Sequence, residues 1–495
     1  MTLVLGLDCG LTTTKAVVFD ETGKVLGQGS RPSPHATPRP HWVERDADAL
    51  WRSAAEAVRE AVDGLGREIA AVGVTAHGDG LYCAQADGSA ARPGISSLDS
   101  RARGIAERWQ ADGTARAALA LTGQEPAASS PITLLRWLFE HEPATLARTR
   151  WLLFSKDWIK LALTGEASTD PTEASTSFTN VATQSYDDAV LELFGLSELS
   201  DRLPPVRSSW AVGGQVTAAA SALTGLAEGT PVVTGLHDVD ASAIGSGAIR
   251  PGQLSVIAGT YSINEVVATE PRTDPRWFTR NFLEPGSWQH MSISPASAAN
   301  LEWFVRELCP DLSGEGRYAA LAEAYDSVAD EPSGVLFLPY LYGGPAGVRT
   351  DAAFVGVGGW HRREHLLRAV LEGVVFNHRW HVDALAEQFT VDEIRLTGGA
   401  SRAGYWAQLF ADAFGRPVRV VRTKETGALG AALCAMVGAG AYPDVPAAAA
   451  AMLAGADTSV LDPRPAHHRR LDDAYQRFSR VTSALSQAGL TTSTT

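Results

Sequence analysis

The chain has 495 residues, with 42 lysines and arginines against 56 aspartates and glutamates, a formal charge of -14. That length allows two or three domains at roughly 100–200 residues each, and 45% hydrophobic with 20% charged residues excludes a disordered chain. The acidic balance works against an extended nucleic-acid or anionic-membrane surface, which needs clustered positive charge, but leaves room for small anions held by local backbone dipoles.

The N-terminus runs directly into Leu3-Val-Leu-Gly-Leu7 with no basic region or small-residue cleavage site. No apolar stretch approaches the roughly 18–20 residues that span a bilayer. Four scattered cysteines, Cys9, Cys83, Cys309 and Cys434, make no C-x-x-C pair. A reduced cytoplasmic protein, without nucleic-acid or membrane partners, is the expectation.

In chain order, Val4 to Gly29 predicts a hairpin: an apolar strand, a turn over Asp8 to Lys15, then Ala16-Val-Val-Phe19 and a second turn at Asp20-Glu-Thr-Gly23. After a Pro-rich loop, Asp46 or Asp48 caps a helix whose apolar positions are Leu50, Ala54, Ala57, Val58 and Val62. A strand from Ile69 to Thr75 ends at His77-Gly-Asp-Gly80, and helices dominate from Ala102 to about Leu163. Pro204-Pro205 reads as a boundary. A buried strand, Pro231-Val-Val-Thr234, leads through Gly235-Leu-His-Asp238 into a small-residue helix, Ala241 to Gly247. Leu254 to Ala258, the turn Gly259-Thr-Tyr-Ser262 and Ile263 to Ala268 then echo the N-terminal unit, dividing the chain near residue 248. A long amphipathic helix from Arg362 to Gln388 and a strand from Glu393 to Thr397 precede Gly398-Gly-Ala-Ser401 and a further helix. Two αβ domains of similar plan, facing each other, are expected.

No P-loop, G-x-G-x-x-G or G-x-S-x-G pattern occurs. His361-Arg-Arg-Glu-His365 matches the H-x-x-E-H metalloprotease pattern, but the same residues begin the apolar-faced helix. The turn from Asp8 to Lys15 offers a carboxylate, Gly10, three threonines and a lysine, a set suited to a metal-bound phosphate; a polar β-turn accounts for it equally. Gly259-Thr-Tyr-Ser262 repeats those donors in the second half. Asp238, at a strand end before a helix of small residues, is placed to accept a proton from an attacking hydroxyl during phosphoryl transfer. A helix N-cap explains it too, and Asp240 competes for the role. The paired glycines at 398 and 399 allow a flat ring or sugar to lie against backbone.

Together these residues resemble the FGGY family of carbohydrate kinases, over nearly the whole chain. The resemblance is carried by Trp42-Val-Glu-Arg-Asp46, Gly235-Leu-His-Asp238, Gly259-Thr260, Phe354 to Glu372, Leu396-Thr-Gly-Gly-Ala400 and Glu425 to Ala432. It implies an α/β, two-domain, actin-like ATPase (ribonuclease H-like) fold with the active site in the interdomain cleft. The implied domains are 1–248 (sugar, first phosphate loop, catalytic aspartate), 249–445 (ATP) and a helical extension, 446–495. It implies ATP and Mg²⁺ as cofactors, a small neutral sugar or polyol as substrate, and a homodimer, as is common in the family. Asp238 matches the catalytic base and Asp8 the residue that helps hold Mg²⁺. Thr12, Thr13 and Lys15 match the first phosphate loop, Gly259 and Thr260 the second, and Gly398, Gly399 and Ala400 the adenosine-side loop. His77, Gly78, Asp79, Asp99 and Arg101, with Asp238, match substrate positions.

The substrate loops depart from D-xylulose kinases, which carry Gln-Met-His-Gly where this chain has His77-Gly-Asp-Gly80. The pattern is closer to the L-xylulose kinase and erythritol kinase branches. Gly78 is expected to open the pocket and Asp79 to accept from a polyol hydroxyl. The expected activity is transfer of the ATP γ-phosphate to a terminal hydroxyl of a pentulose, L-xylulose or xylulose. An erythritol or tetrulose kinase and a non-catalytic actin-like ATP-binding module are the alternatives.

Overall fold

A computed structural model of the protein describes residues 2–312, 316–329, 331, 333–423 and 425–489. In the first half, β1 (Leu3–Cys9), β2 (Thr13–Asp20) and β3 (Val25–Pro32) form an antiparallel meander. The first of these reads as a continuous apolar run because helices cover both faces of its sheet. α1 (Ala47–Val62) is capped by Asp46, whose side chain accepts the Ala49 N–H at 2.9 Å, and buries the predicted stripe of Leu50, Ala54, Ala57 and Val58. β4 (Ala71–Ala76) runs parallel to β1. A helical block with its own core follows, and then α2 (Ser155–Thr164), whose Trp158, Ile159 and Leu163 join the core of the first sheet. Then come β5 (Val212–Gln215), β6 (Pro231–Val233), β7 (Leu236–His237) and α3 (Asp238–Gly245).

The second half contains β8 (Gln253–Ala258), β9 (Ser262–Ala268), β10 (Phe278–Asn281) and β11 (Trp288–Ser294). It continues with α4 (Arg363–Ala386), β12 (Glu393–Gly398), α5 (Gly404–Phe414) and β13 (Val418–Val421). Last are α6 (Thr426–Gly438), β14 (Thr458–Leu461) and α7 (Pro465–Ala488).

The sheets have orders β3–β2–β1–β4–β6–β5, with β7 beside β4, and β10–β11–β9–β8–β12–β13–β14. Apart from β7 and β10 they match strand for strand. Each has a three-stranded antiparallel meander, two parallel strands and an antiparallel edge. The echo between the halves is therefore a repeat of topology, and the arrangement is the actin-like, ribonuclease H-like α/β fold.

Four expectations need correction. Asp8 and Lys15 are not turn residues but face each other across the β1–β2 ladder, leaving a turn of only Gly10 to Thr12. Pro204-Pro205 divides nothing, since the Pro205 carbonyl accepts the Thr169 N–H inside the first half. The segment from 446, described as far as residue 489, is no separate helical extension: β14 completes the second sheet, and α7 puts Leu471, Tyr475 and Phe478 into the second core; residues 490–495 of that expectation lie outside the described residues. The 249–445 stretch is also not one spatial unit. α6 is apolar all round, so it is stable only when buried on every side. It lies between α3 and the first sheet, pressed so close that a Cβ on Gly6 would sit 1.8 Å from the Ala428 carbonyl oxygen, and one on Gly430 2.0 Å from that of Ala241. The four cysteines are buried and unpaired, and among the described residues no helix is long and apolar enough to cross a membrane.

Candidate active site

The turn after β1 is held from behind. Buried Arg45 donates from Nη2 to the Leu11 carbonyl at 2.5 Å and from Nη1 to the Gly10 carbonyl and Ser33 Oγ, both at 3.3 Å. Thr12 accepts the Ser33 N–H through its carbonyl at 2.9 Å. Thr12 is exposed and Thr13 partly so, leaving both hydroxyls open to a ligand. Loss of bulk water pushes the Asp8 carboxyl up to about 6, with Lys15 pulling down and Glu425 adding to the rise. Lys15 is engaged by Glu425, just before α6, at 2.8 Å.

Asp238 is the first residue of α3; His237 is the N-cap, so the capping explanation for Asp238 does not apply. Its side chain is 33% exposed at the mouth of a cleft of about 370 Å³. Desolvation first, then the charges of Asp8 and Asp79, push the carboxyl up to about 7 against hydrogen bonds from the Gly78 and Val239 N–H groups. Asp240, the competitor, is fully buried with neither carboxyl oxygen hydrogen-bonded among the described residues, and burial holds it protonated far above the usual carboxylate range. It does not line the cleft.

His77, Gly78 and Asp79 line the same cleft, opposite Gly259 and Thr260. Gly78 does not open the pocket as expected. A Cβ there would fall 1.7 Å from Nε2 of His237, whose ring fills the space. Asp79, in left-handed backbone at φ 56°, accepts from Arg280 Nη2 at 3.1 Å. Asp99 and Arg101 are not brought to the cleft. Their side chains are fully buried, Arg101 donating to Asp99 and Glu44 at 2.8 Å while stacked 3.9 Å from the Trp42 ring. Their loop reaches the cleft through Ser97 and Leu98.

Behind the second turn lies a neutral buried network. His378 of α4 is hydrogen-bonded to Ser262, Asn264 and Ser297 at 3.1, 2.9 and 3.0 Å. His381 joins Ser292 and Ser294 at 2.7 and 2.9 Å. Burial pushes His381 down to about 3 and His378 well below the ordinary histidine range, so both rings stay uncharged. Gly398 pairs with Ala258 beside this turn; at φ 86°, a Cβ there would meet the Ala258 oxygen at 2.6 Å. Gly399 and Gly259 differ: a Cβ on either would meet no protein atom closer than 3.7 Å. Protein packing does not require these two glycines, but a phosphate chain or sugar ring lying against the backbone would. Ala400 is buried beneath them.

The donor set fits magnesium nucleotide. Asp8 is a buried carboxylate whose neighbouring cation, Lys15, is paired with Glu425, which suits a cation held largely through water. The cleft joins His77, Gly78, Asp79 and Asp238 of one half to Gly259 and Thr260 of the other. Asp8, Thr12, Thr13, Lys15, Gly398, Gly399 and Ala400 lie outside that cavity. Sequence reasoning missed Arg45, Arg280, His237 and the His378 network. For Arg45 and His237 the signal was their place in Trp42-Val-Glu-Arg-Asp46 and Gly235-Leu-His-Asp238; for the others it was a charged residue inside the short strand Phe278–Asn281 and histidines spaced along α4. The H-x-x-E-H match dissolves: His361 precedes α4, and His365 Nε2 donates to Glu331 at 3.1 Å. Among the described residues no three His, Cys, Asp or Glu side chains converge on one point as a metal site.

Residues 3–245 match the N-terminal domain, and residues 254–439 the C-terminal domain, of the FGGY family of carbohydrate kinases. The chain is 34% identical to the L-xylulose/3-keto-L-gulonate kinase of Escherichia coli strain K12, over 97% of each protein. It is 29% identical to the erythritol kinase of Brucella abortus, over 89% of this chain and 88% of that one. The crystal structure of xylulose kinase from Rhodospirillum rubrum superposes with a TM-score of 0.88 at 28% identity, covering 98% of this chain and 99% of that one.

Proposed function

We propose, from the premise that this chain belongs to the FGGY family of carbohydrate kinases and is an ATP-dependent sugar kinase, that its substrate is a pentulose, L-xylulose foremost, phosphorylated on a terminal hydroxyl. The observation that carries the chemistry is Asp238, a carboxylate at the cleft mouth held near pKa 7. Such a group accepts the hydroxyl proton as the oxygen attacks phosphorus, where positioning and charge neutralisation matter more than strong basicity. In this reading Asp238 orients the attacking hydroxyl and takes its proton. Asp79 accepts from a second sugar hydroxyl, and Ser97 and His77 complete the polar floor. Thr12, Thr13, Gly259 and Thr260 hold the phosphates with hydroxyl and backbone donors. Gly398, Gly399 and Ala400 face the adenosine. Magnesium bound near Asp8 would neutralise charge on the phosphates.

Ile257, Ile263, Phe278, Met291 and Ile293 form the cleft's wall on the second half. That apolar wall excludes water from the sugar, favouring the sugar hydroxyl over hydrolysis. The L-xylulose preference draws on the relative at 34% identity. A tetritol such as erythritol is the second reading, favoured by the Asp79 carboxylate facing the cleft. ADP release measured against L-xylulose, D-xylulose, erythritol and erythrulose tests both. The highest kcat/KM on L-xylulose supports the proposal, the highest on erythritol transfers it to the second reading, and no stimulation by any of the four overturns it.

A further inference from the structure

We infer that His237 is a positioning residue for Asp238, and that Arg280, reaching across from the second half, fixes the tautomer in which it acts. The inference rests on reading Asp238 as the base. It starts from the 3.3 Å contact between Arg280 Nη1 and His237 Nε2. A guanidinium has N–H donors and no acceptor, so Nε2 must be the accepting nitrogen. The ring is buried, and burial with the adjacent Arg280 charge keeps it neutral. A neutral imidazole has one N–H, which here belongs to Nδ1.

Nδ1 lies 3.5 Å from Asp238 Oδ1 and 3.5 Å from Asp240 Oδ2, with no closer partner among the described residues. It is thus a buried donor beside two carboxyl groups, and only Asp238 reaches the cleft. A shift of a few tenths of an ångström completes its bond to Asp238 Oδ1. With the Gly78 and Val239 N–H groups also acting on this carboxyl, a third donor on Oδ1 fixes the orientation in which the carboxylate meets the sugar hydroxyl.

The ring is held on every side. Its Nε2 edge fills the space above Gly78. Its backbone N–H donates to Thr172 Oγ1 at 2.9 Å, and that hydroxyl donates to Asp170 at 2.7 Å. Asp170 in turn faces buried Lys156 at 3.2 Å. Arg280 is fixed as firmly, donating to Asp79 and to Gln124, both at 3.1 Å. Where a serine protease uses a carboxylate to fix its histidine tautomer, this site uses an arginine on the opposite nitrogen.

Long-range ¹H–¹⁵N correlation spectra of the histidine-labelled full-length protein, with His237 assigned by its loss in His237→Asn, read the tautomer directly. The inference expects an Nδ1–H ring in the wild type and loss of that pattern in Arg280→Met. An Nε2–H ring in the wild type, or an unchanged pattern in Arg280→Met, overturns it. Kinetics give a second readout. His237→Leu is expected to lower kcat about 10²-fold with the KM for ATP unchanged, while His237→Asn, which keeps a donor near Nδ1, stays within about tenfold. Equal losses in the two variants overturn the positioning role. Failure of this inference is separable from failure of the base: an Nε2–H ring beside an inactive Asp238→Asn removes His237 alone, whereas an active Asp238→Asn removes the base whatever the tautomer.

Discussion

The turn after β1 and the turn after β8 occupy the same place in two sheets of the same strand order, yet opposite chemistry stands behind them. Behind the first is fixed charge: Arg45 on the turn's carbonyls and the Lys15–Glu425 pair beside it. Behind the second is a network of neutral groups, His378 and His381 among serines and an asparagine. The repeat preserves backbone topology, which sets where a turn sits. It leaves each half free to choose the dielectric environment of its own ligand. The half that carries Asp238, the proposed proton acceptor, has fixed charges around it. The half assigned to the nucleotide offers neutral donors whose strength does not change with pH.

Three substitutions test that contrast. The largest effect is expected from Arg45→Met, because charged-group hydrogen bonds of about 1.5–3 kcal/mol are lost and two carbonyls are left unpaired. Urea unfolding should show destabilisation of that order, and steady-state kinetics a fall of about 10²-fold in kcat/KM for ATP. His378→Leu removes neutral partners from Ser262, Asn264 and Ser297. It should raise the KM for ATP about tenfold while leaving the KM for sugar unchanged. A drop as large as that of Arg45→Met would erase the distinction between the halves. The smallest catalytic effect is expected from Asp99→Asn, since Asp99 serves Arg101 and not the cleft. The KM for sugar should stay within about threefold, while stability falls by less than the roughly 3–5 kcal/mol of an abandoned buried charge, because Glu44 still faces Arg101.

Local patterns made the meanders, α1 and the Asp238 junction legible in the sequence, because strand periodicity, an N-cap and a small-residue helix are each written in adjacent residues. What was not legible depended on partners far along the chain. Arg101 reads as a free ligand until Glu44 and Trp42, nearly 60 residues upstream, are seen to enclose it. Gly78 reads as empty space until His237, over 150 residues later, fills it. The strand character of Asp8 and Lys15 was hidden because Gly and Thr form turns as readily as they end a ladder. α6 gave no sign of crossing back, since a helix apolar all round says only that it is buried, not where.

The central claim, that Asp238 takes the sugar hydroxyl's proton, is tested most directly by the pH dependence of kcat/KM for the sugar in the wild type and in Asp238→Asn. A base works as the carboxylate, and burial keeps this one protonated up to about 7. Wild-type activity is therefore expected to rise about tenfold per pH unit below that value and to level above it. Asp238→Asn should lose about 10³-fold or more and with it the rise, while still binding ATP. A variant within about tenfold of the wild type, or a wild-type rate flat from pH 5.5 to 8, would contradict the assignment.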